Sequence, residues 1–192
     1  MKLVTVLLLA AFLAVPAMAD YPLGVGLHGG YDVPIIQNDV AAGPEFGLSV
    51  RGNIVGPLHG QLVFRSTSQG DREESIDFPG EPTLTIPGGT LTGFGLNLLL
   101  AQKDPQDFWP YFHLGLSTNS LAAGASYKKD ETLTGMSGGL GAGINLYQKK
   151  IYLDIMTSLL VMPFHDDNAS RKNWQTVLGV QYFFPIKTKS SN

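Results

Sequence analysis

An all-β fold, an eight-stranded antiparallel up-and-down transmembrane β-barrel, is what the sequence predicts, and three observations predict it. Alternation of apolar with small or polar residues recurs eight times, and no long segment keeps a helical period. Charged residues inside these segments, Glu45, Arg51, Arg65 and Asp154, share a face with glycines, and the opposite face carries no charge. Long and short connections take turns along the chain. A soluble barrel would place charge on its watered outside and apolar residues within. Here the apolar face must meet hydrocarbon, where a cation costs about 2–4 kcal/mol at the bilayer midplane.

The amino terminus comes first. Lys2, the apolar run Leu3 to Val15, then Pro16 and Ala17-Met18-Ala19 before Asp20 form the pattern of a cleaved secretory leader. The apolar core is too short for a bilayer-spanning helix of about 20 residues. The expected division is residues 1–19 as signal peptide, 20–186 as barrel and 187–192 as a polar tail. Loss of Lys2 with the leader lowers the formal charge by one from −3. A mildly acidic chain without a basic stripe excludes nucleic acid as a partner. With no cysteine in an exported chain, stability rests on packing and backbone pairing rather than disulfides.

The strands follow in order. Tyr21 to Tyr31 sets Tyr21, Leu23, Val25, Leu27 and Tyr31 against Gly24, Gly26, His28 and Gly30. After a loop with Pro34 and Gly43, Pro44 to Ile54 sets Phe46, Leu48, Val50 and Ile54 against Glu45, Gly47, Ser49, Arg51 and Asn53. The turn Val55-Gly56-Pro57 leads to Leu58 to Thr67, with Leu62 and Phe64 outside and His59, Gln61 and Arg65 inside. Residues 66–89 form the longest irregular segment, with the run Asp71-Arg72-Glu73-Glu74.

Thr90 to Leu100 alternates Phe94, Leu96 and Leu98 with Gly93, Gly95 and Asn97. A polar turn at Lys103-Asp104-Pro105 precedes Trp109 to Thr118, with Phe112, Leu114 and Leu116 against Tyr111, His113, Gly115 and Ser117. A loop over residues 119–131 leads to Thr132 to Leu146, where Met136, Leu140 and Ile144 oppose Gly135, Gly139, Gly141 and Gly143. Gln148-Lys149-Lys150 turns the chain into Ile151 to Val161, with Ile151, Leu153 and Ile155 against Tyr152, Asp154 and Met156. After residues 163–172, the closing strand Asn173 to Phe184 puts Trp174, Leu178, Val180, Tyr182 and Phe184 on one face. Its other face, Gln175, Val177, Gly179, Gln181 and Phe183, is mostly small or polar.

Outward aromatics gather at the strand ends, Tyr31, Phe46, Phe64 and Trp174 toward the long loops and Tyr21, Tyr182 and Phe184 toward the short turns. Two such girdles suit rings that prefer the membrane–water boundary.

The segment Gly179-Val180-Gln181-Tyr182-Phe183-Phe184 resembles the assembly signal of bacterial outer-membrane barrels, a Gly followed three and five residues later by aromatics, here Gly179, Tyr182 and Phe184. Val177 replaces the usual polar residue two before that Gly, and eight residues follow Phe184. With the leader and the loop pattern, the mature chain resembles small eight-stranded outer-membrane proteins of the OmpA-domain/OmpX type. The resemblance implies outer-membrane lipids and the barrel-assembly machinery as partners, with an extracellular ligand at the loops. Such proteins serve as structural, adhesive or resistance proteins, and a few modify lipid A, so the fold leaves function open.

Motifs for other chemistry fail on context. Gly24-Val-Gly26-Leu-His-Gly29 spells a dinucleotide fingerprint but lies within a strand, and Gly139-Leu-Gly141-Ala-Gly143 lacks the Lys-Ser/Thr of a phosphate loop, so no cofactor is expected. His28, His59 and His113 point inward by parity; His113 and Ser117 lie about 13 Å apart at ~3.3 Å per residue, too far for a nucleophile and its base. His165-Asp166-Asp167-Asn168 is a solvated polar loop or a divalent-cation site. An eight-stranded interior is filled by side chains, so Glu45, Arg51, Arg65 and Asp154 are expected to form an interior ion-pair network, with Glu45 near Arg65. A structural or loop-binding barrel, a lipid-modifying enzyme and a narrow pore are the functions in contention.

Overall fold

The computed structural model describes residues 23–35, 40–74, 83–124, 130–163 and 171–184. The leader, the polar tail, Tyr21 and His165-Asp166-Asp167-Asn168 lie outside them. Ten strands follow one another: β1 (Gly24–Pro34), β2 (Gly43–Val55), β3 (Leu58–Ser68), β4 (Arg72–Glu74), β5 (Leu84–Ile86), β6 (Thr90–Ala101), β7 (Phe108–Ala122), β8 (Glu131–Tyr147), β9 (Ile151–Met162) and β10 (Arg171–Phe183). Eight of them close a barrel in the order β1-β10-β9-β8-β7-β6-β3-β2, and β4 and β5 pair with each other outside it. Every barrel pairing is antiparallel, and β1 meets β10 from Gly24 opposite Phe183 to Pro34 opposite Asn173. Closure leaves no sheet edge among these strands, the condition for a β-structure to stand in hydrocarbon, where an unpaired peptide group costs several kcal/mol.

The face assignments follow the alternation. Phe46, Leu48, Leu98, Leu114, Leu116, Met136, Leu140 and Leu178 are exposed on the outer wall, Phe46 to 66% and Leu116 to 61%. Glu45, Ser49, Arg51, His59, Gln61, Asn97, His113, Gln175 and Gln181 are buried inside. This inversion of the soluble pattern identifies the outer surface as a lipid-facing one. Tyr31, Phe46, Phe64, Phe94 and Trp174 stand outward toward the long-loop end, and Phe108, Tyr147, Tyr182 and Phe184 toward the short-turn end. Two of the short turns put residues at positive φ, Gly56 at 55° and the pair Gln148 and Lys149 at 46° and 55°. The latter pair is what a tight hairpin matched to strand twist demands.

Two features differ from the sequence reading. The segment after β3 is not wholly irregular: β4 and β5 pair Arg72 with Ile86 and Glu74 with Leu84, extending the barrel wall as a ribbon. β7 runs on to Ala122 and β8 begins at Glu131, so both ends of the expected loop over residues 119–131 are strand. At 15 and 17 residues these strands outrun the 9–11 that cross a bilayer. Over the extra length the pattern reverses, with Thr118, Ser120, Thr132 and Thr134 outside and Leu121 and Leu133 buried inside. The hydrocarbon ends near Phe94, Leu116 and Met136, and beyond it the wall is built like a soluble barrel. On the inner face Tyr111, Tyr152 and Phe183, which parity places there, join Trp109 in filling the short-turn end.

Two outward positions on β8, Leu140 and Thr134, test the boundary. Leu140→Arg is expected to destabilise the barrel in lipid vesicles by about 2–4 kcal/mol and Thr134→Arg by under about 1 kcal/mol. Equal costs in equilibrium unfolding would place the boundary elsewhere.

Candidate functional site

The lumen is organised in layers along the barrel axis. At the short-turn end Trp109 of β7 lies buried among Leu99, Tyr111, Tyr152 and Phe183. Its ring meets Phe183 of β10 edge-on at 5.9 Å between centroids and His59 of β3 at 5.1 Å. Those strands lie on different sides of the cylinder, so the aromatic layer crosses the lumen. Trp109 Nε1 donates to the Gln102 carbonyl at 2.9 Å, which satisfies the one polar atom of the ring.

Against this layer sits the first charged pair. Arg51 on β2 is 1% exposed and its Nη2 donates to Asp154 Oδ2 on β9 at 3.0 Å. Tyr111 Oη donates to the same carboxylate, 3.0 Å from Oδ2 and 3.1 Å from Oδ1. The guanidinium lies 4.5 Å from the Tyr111 ring centroid and 5.4 Å from that of Trp109. Arg51 thus has a carboxylate on one side and two π faces on another, the desolvated setting in which such contacts are strongest. Glycine makes the space: a methyl group at Gly141 on β8 would overlap the Tyr111 ring. The inner glycine row that sequence parity assigns to β8 is therefore the seat of Tyr111.

The middle layer is neutral and polar. Ser49 Oγ donates to Gln181 Oε1 at 3.1 Å, and Asn97 Nδ2 to Gln61 Oε1 at 3.2 Å. Two voids of about 10 Å³ each lie along it, room for one water apiece at most.

The upper layer holds the other two predicted charges, and Gln175 of β10 organises it. Its Nε2 donates to Glu45 Oε2 at 2.8 Å and to Asp32 Oδ2 at 3.1 Å, while its Oε1 accepts from Arg65 Nη1 at 2.7 Å. Asn173 Nδ2 donates to Asp32 Oδ1 at 2.6 Å and Thr67 Oγ1 to Glu45 Oε2 at 3.3 Å. Arg65 also reaches Asn119 Oδ1 at 3.2 Å and Ser117 Oγ at 3.4 Å. Between Glu45 and Arg65 stands Gln175, which hydrogen-bonds both. Arg65 is opposite Gly47 in register, two residues from Glu45, and both side chains reach across the lumen to β10 instead of along the wall. The four expected charges fall into two clusters. Sequence parity placed Gln175 on the inner side, whereas Asp32 lies just past the first strand as read to Tyr31, and nothing local marked either as part of the hub.

The histidines stay apart from hydroxyls. His59 Nε2 lies 3.2 Å from the Gln102 carbonyl and 3.4 Å from Asn53 Nδ2, and His28 Nε2 is 3.9 Å from Glu45 Oε1. His113 packs over Gly139. Among the described residues no histidine hydrogen-bonds a Ser or Thr, and no three His, Cys, Asp or Glu side chains converge as metal ligands. Of the assembly-signal-like residues, Gly179 faces inward where a methyl would press on the Leu27 carbonyl and His28 Cβ at 2.6 and 2.9 Å. Tyr182 and Phe184 point outward, with ring centroids 4.9 Å apart and planes at 86°.

Geometry of this kind, a closed antiparallel eight-stranded cylinder with a lipid-facing wall and a filled polar lumen, defines the class of small outer-membrane-type β-barrels. Solved structures of that class share its shape. OprG, an outer membrane protein of Pseudomonas aeruginosa, matches with a TM-score of 0.56 at 14% identity over 88% of this chain and 99% of its own. Neisserial surface protein A matches with a TM-score of 0.56 at 12% identity, covering 85% and 97%. Ail, the attachment invasion locus protein of Yersinia pestis, matches with a TM-score of 0.51 at 16% identity, covering 85% and 97%. At these identities the likeness is one of fold. No protein-family model matches the chain, and no curated protein matches it in sequence.

The lower charged pair yields a double-mutant test. Arg51→Met strands Asp154 in the lumen and is expected to cost about 3–5 kcal/mol in detergent unfolding. Adding Asp154→Leu should recover at least half of that loss, and a double variant no better than the single would show that Arg51 acts through packing alone. Gly179→Val is expected to cost about 1–3 kcal/mol by overpacking against His28, read in the same unfolding assay.

Proposed function

We propose that this chain is an integral protein of a bacterial outer membrane whose barrel is a non-catalytic support and whose long-loop end faces the outside and binds an extracellular ligand. The observation that carries this reading is the contrast between the two ends. The short-turn end is closed by Trp109, Tyr152 and Phe183 and by turns of two to six residues. The other end bears the long connections, the β4–β5 ribbon and a wall that rises above the hydrocarbon. Long loops outside and short turns in the periplasm are the ordinary arrangement of such barrels, and loops on a rigid scaffold are where binding residues concentrate.

A non-catalytic body is supported by the lumen chemistry. Arg51, Asp154, Arg65 and Glu45 are each engaged by fixed partners, which suits stability more than turnover. Export by a leader ending at Ala19, folding by the barrel-assembly machinery through Gly179, Tyr182 and Phe184, and a surround of outer-membrane lipids complete the reading.

The chain has no cysteine, so orientation can be read directly. Thr85→Cys, exposed on β5, should react with a membrane-impermeant maleimide on intact cells, and Asp104→Cys in the turn after β6 should react only after the outer membrane is opened. Labelling of Asp104→Cys on intact cells and not Thr85→Cys would reverse the topology.

A further inference from the structure

The upper layer of the lumen sets two carboxylates against one guanidinium. Asp32 of β1 and Glu45 of β2, exposed to 1% and 2%, share the Nε2 of Gln175, while Arg65 of β3 takes its Oε1. With all three ionised, the layer carries one unbalanced negative charge among buried groups, a strongly unfavourable arrangement.

The groups facing the layer from the other strands do not balance it. Asp154 of β9 is held by Arg51 of β2 at 3.0 Å and by Tyr111 of β7, so that pair is neutral by itself. His113 of β7 lines the same small void as Glu45 and Arg65, and β6 and β8 face that void with Gly95, Asn97 and Ser137. β10 contributes the amides of Asn173, Gln175 and Gln181. Beyond the aliphatic cluster Glu131 and Arg171, of opposite sign, line a cavity at the long-loop mouth.

One proton neutralises the layer, and the geometry provides its place. His28 of β1 brings its Nε2 to 3.9 Å from Glu45 Oε1, the two side chains being 9% and 3% exposed, and that nitrogen has no hydrogen-bond partner. A proton on either atom lets the gap close into a hydrogen bond to the other. No proton on the pair leaves the layer at one negative charge, and two protons take it to one positive charge.

We propose that the His28–Glu45 pair is a binding site for one proton, and that this proton locks the closing seam of the barrel at its long-loop end. The seam joins the first and last strands, and its side-chain ties there, Asn173 to Asp32 and Gln175 to Asp32 and Glu45, all run through this layer. Loss of the proton sets the two carboxylates against each other across a single amide, so an alkaline medium loosens the seam. In the unfolded chain the pair holds one proton between about pH 4.3 and 6.5, the ordinary values of Glu and His. The folded pair keeps its proton above about pH 6.5, so the folded chain then binds more protons than the unfolded one. Stability therefore falls as pH rises beyond that value, the unfolding constant growing by up to about tenfold per pH unit until the folded pair lets go.

The test is urea unfolding of the full chain in an uncharged maltoside micelle from about pH 4 to about pH 9, with proton uptake on refolding read by an indicator dye. The unaltered chain should lose stability above about pH 6.5, and at that pH should take up at least about half a proton more than Glu45→Gln. Glu45→Gln, neutral without a proton, should lack the decline. Asp32→Asn, which removes the excess carboxylate, should lack it too and decides the matter if Glu45→Gln does not fold. His28→Asn should move the start of the decline to about pH 4.3, and His113→Asn should leave it in place. At about pH 8.5, amide exchange around Asp32 and Asn173 should quicken relative to the β7–β8 pairing in the unaltered chain and not in Glu45→Gln. A profile shared by Glu45→Gln and the unaltered chain, or a decline that vanishes in His113→Asn, would overturn the proposal. So would seam exchange that keeps pace with β7–β8, or alkaline stability restored by replacing choline with sodium at constant ionic strength, which would make the ligand a metal cation.

Discussion

Hydrocarbon around a closed sheet leaves a charged side chain one direction to point, and eight strands enclose too little water to solvate what points there. Every inner charge therefore has to be met by another side chain across the lumen. Arg51 meets Asp154 three strands away around the wall, and Arg65 meets Gln175 at the same separation. Because these ties cross the cylinder, they brace it against flattening and occupy the space that a channel would need. The rest of the molecule follows from this constraint. Glycines line β8 so that Tyr111 and His113 have seats, and the aromatic layer seals one end so that the polar middle stays isolated from bulk water.

Along the axis the chain passes through three chemical environments, and the barrel changes its construction to suit each. Within the bilayer, apolar groups face out and polar groups face in. Above it, Ser120, Thr132 and Thr134 face out while Leu121, Leu133, Leu160 and Met162 close the interior. The same strands obey both rules, because the side-chain period of two lets a strand reverse its chemistry without changing its geometry.

Much of the fold was legible from residue order alone. Alternation located all eight barrel strands, and parity placed Glu45, Arg51, Arg65 and Asp154 inside and Phe46, Leu116, Leu140 and Leu178 outside. Reading by alternation failed where its premise lapsed. It ended β7 at Thr118 because the outward residues beyond are polar, and it left the β4–β5 ribbon as loop because three-residue strands carry too little pattern. Parity put Tyr111, Tyr152 and Phe183 on the inner side, but nothing local showed that they meet Trp109 in one layer across the lumen. A ring on the lumen side and a ring at the membrane boundary differ by one residue of phase, and only the phase of the whole strand separates them.

The sequence by itself determined the lipid-facing wall, the number of barrel strands and the inward turn of the charges, since each depends on nearest neighbours along one strand. Which inner groups touch was decided only by the tertiary structure. Contacts such as Glu45–Gln175–Arg65 and Arg51–Asp154–Tyr111 depend on how far each strand is staggered against the next. That stagger accumulates around the closed cylinder and is a property of no single strand.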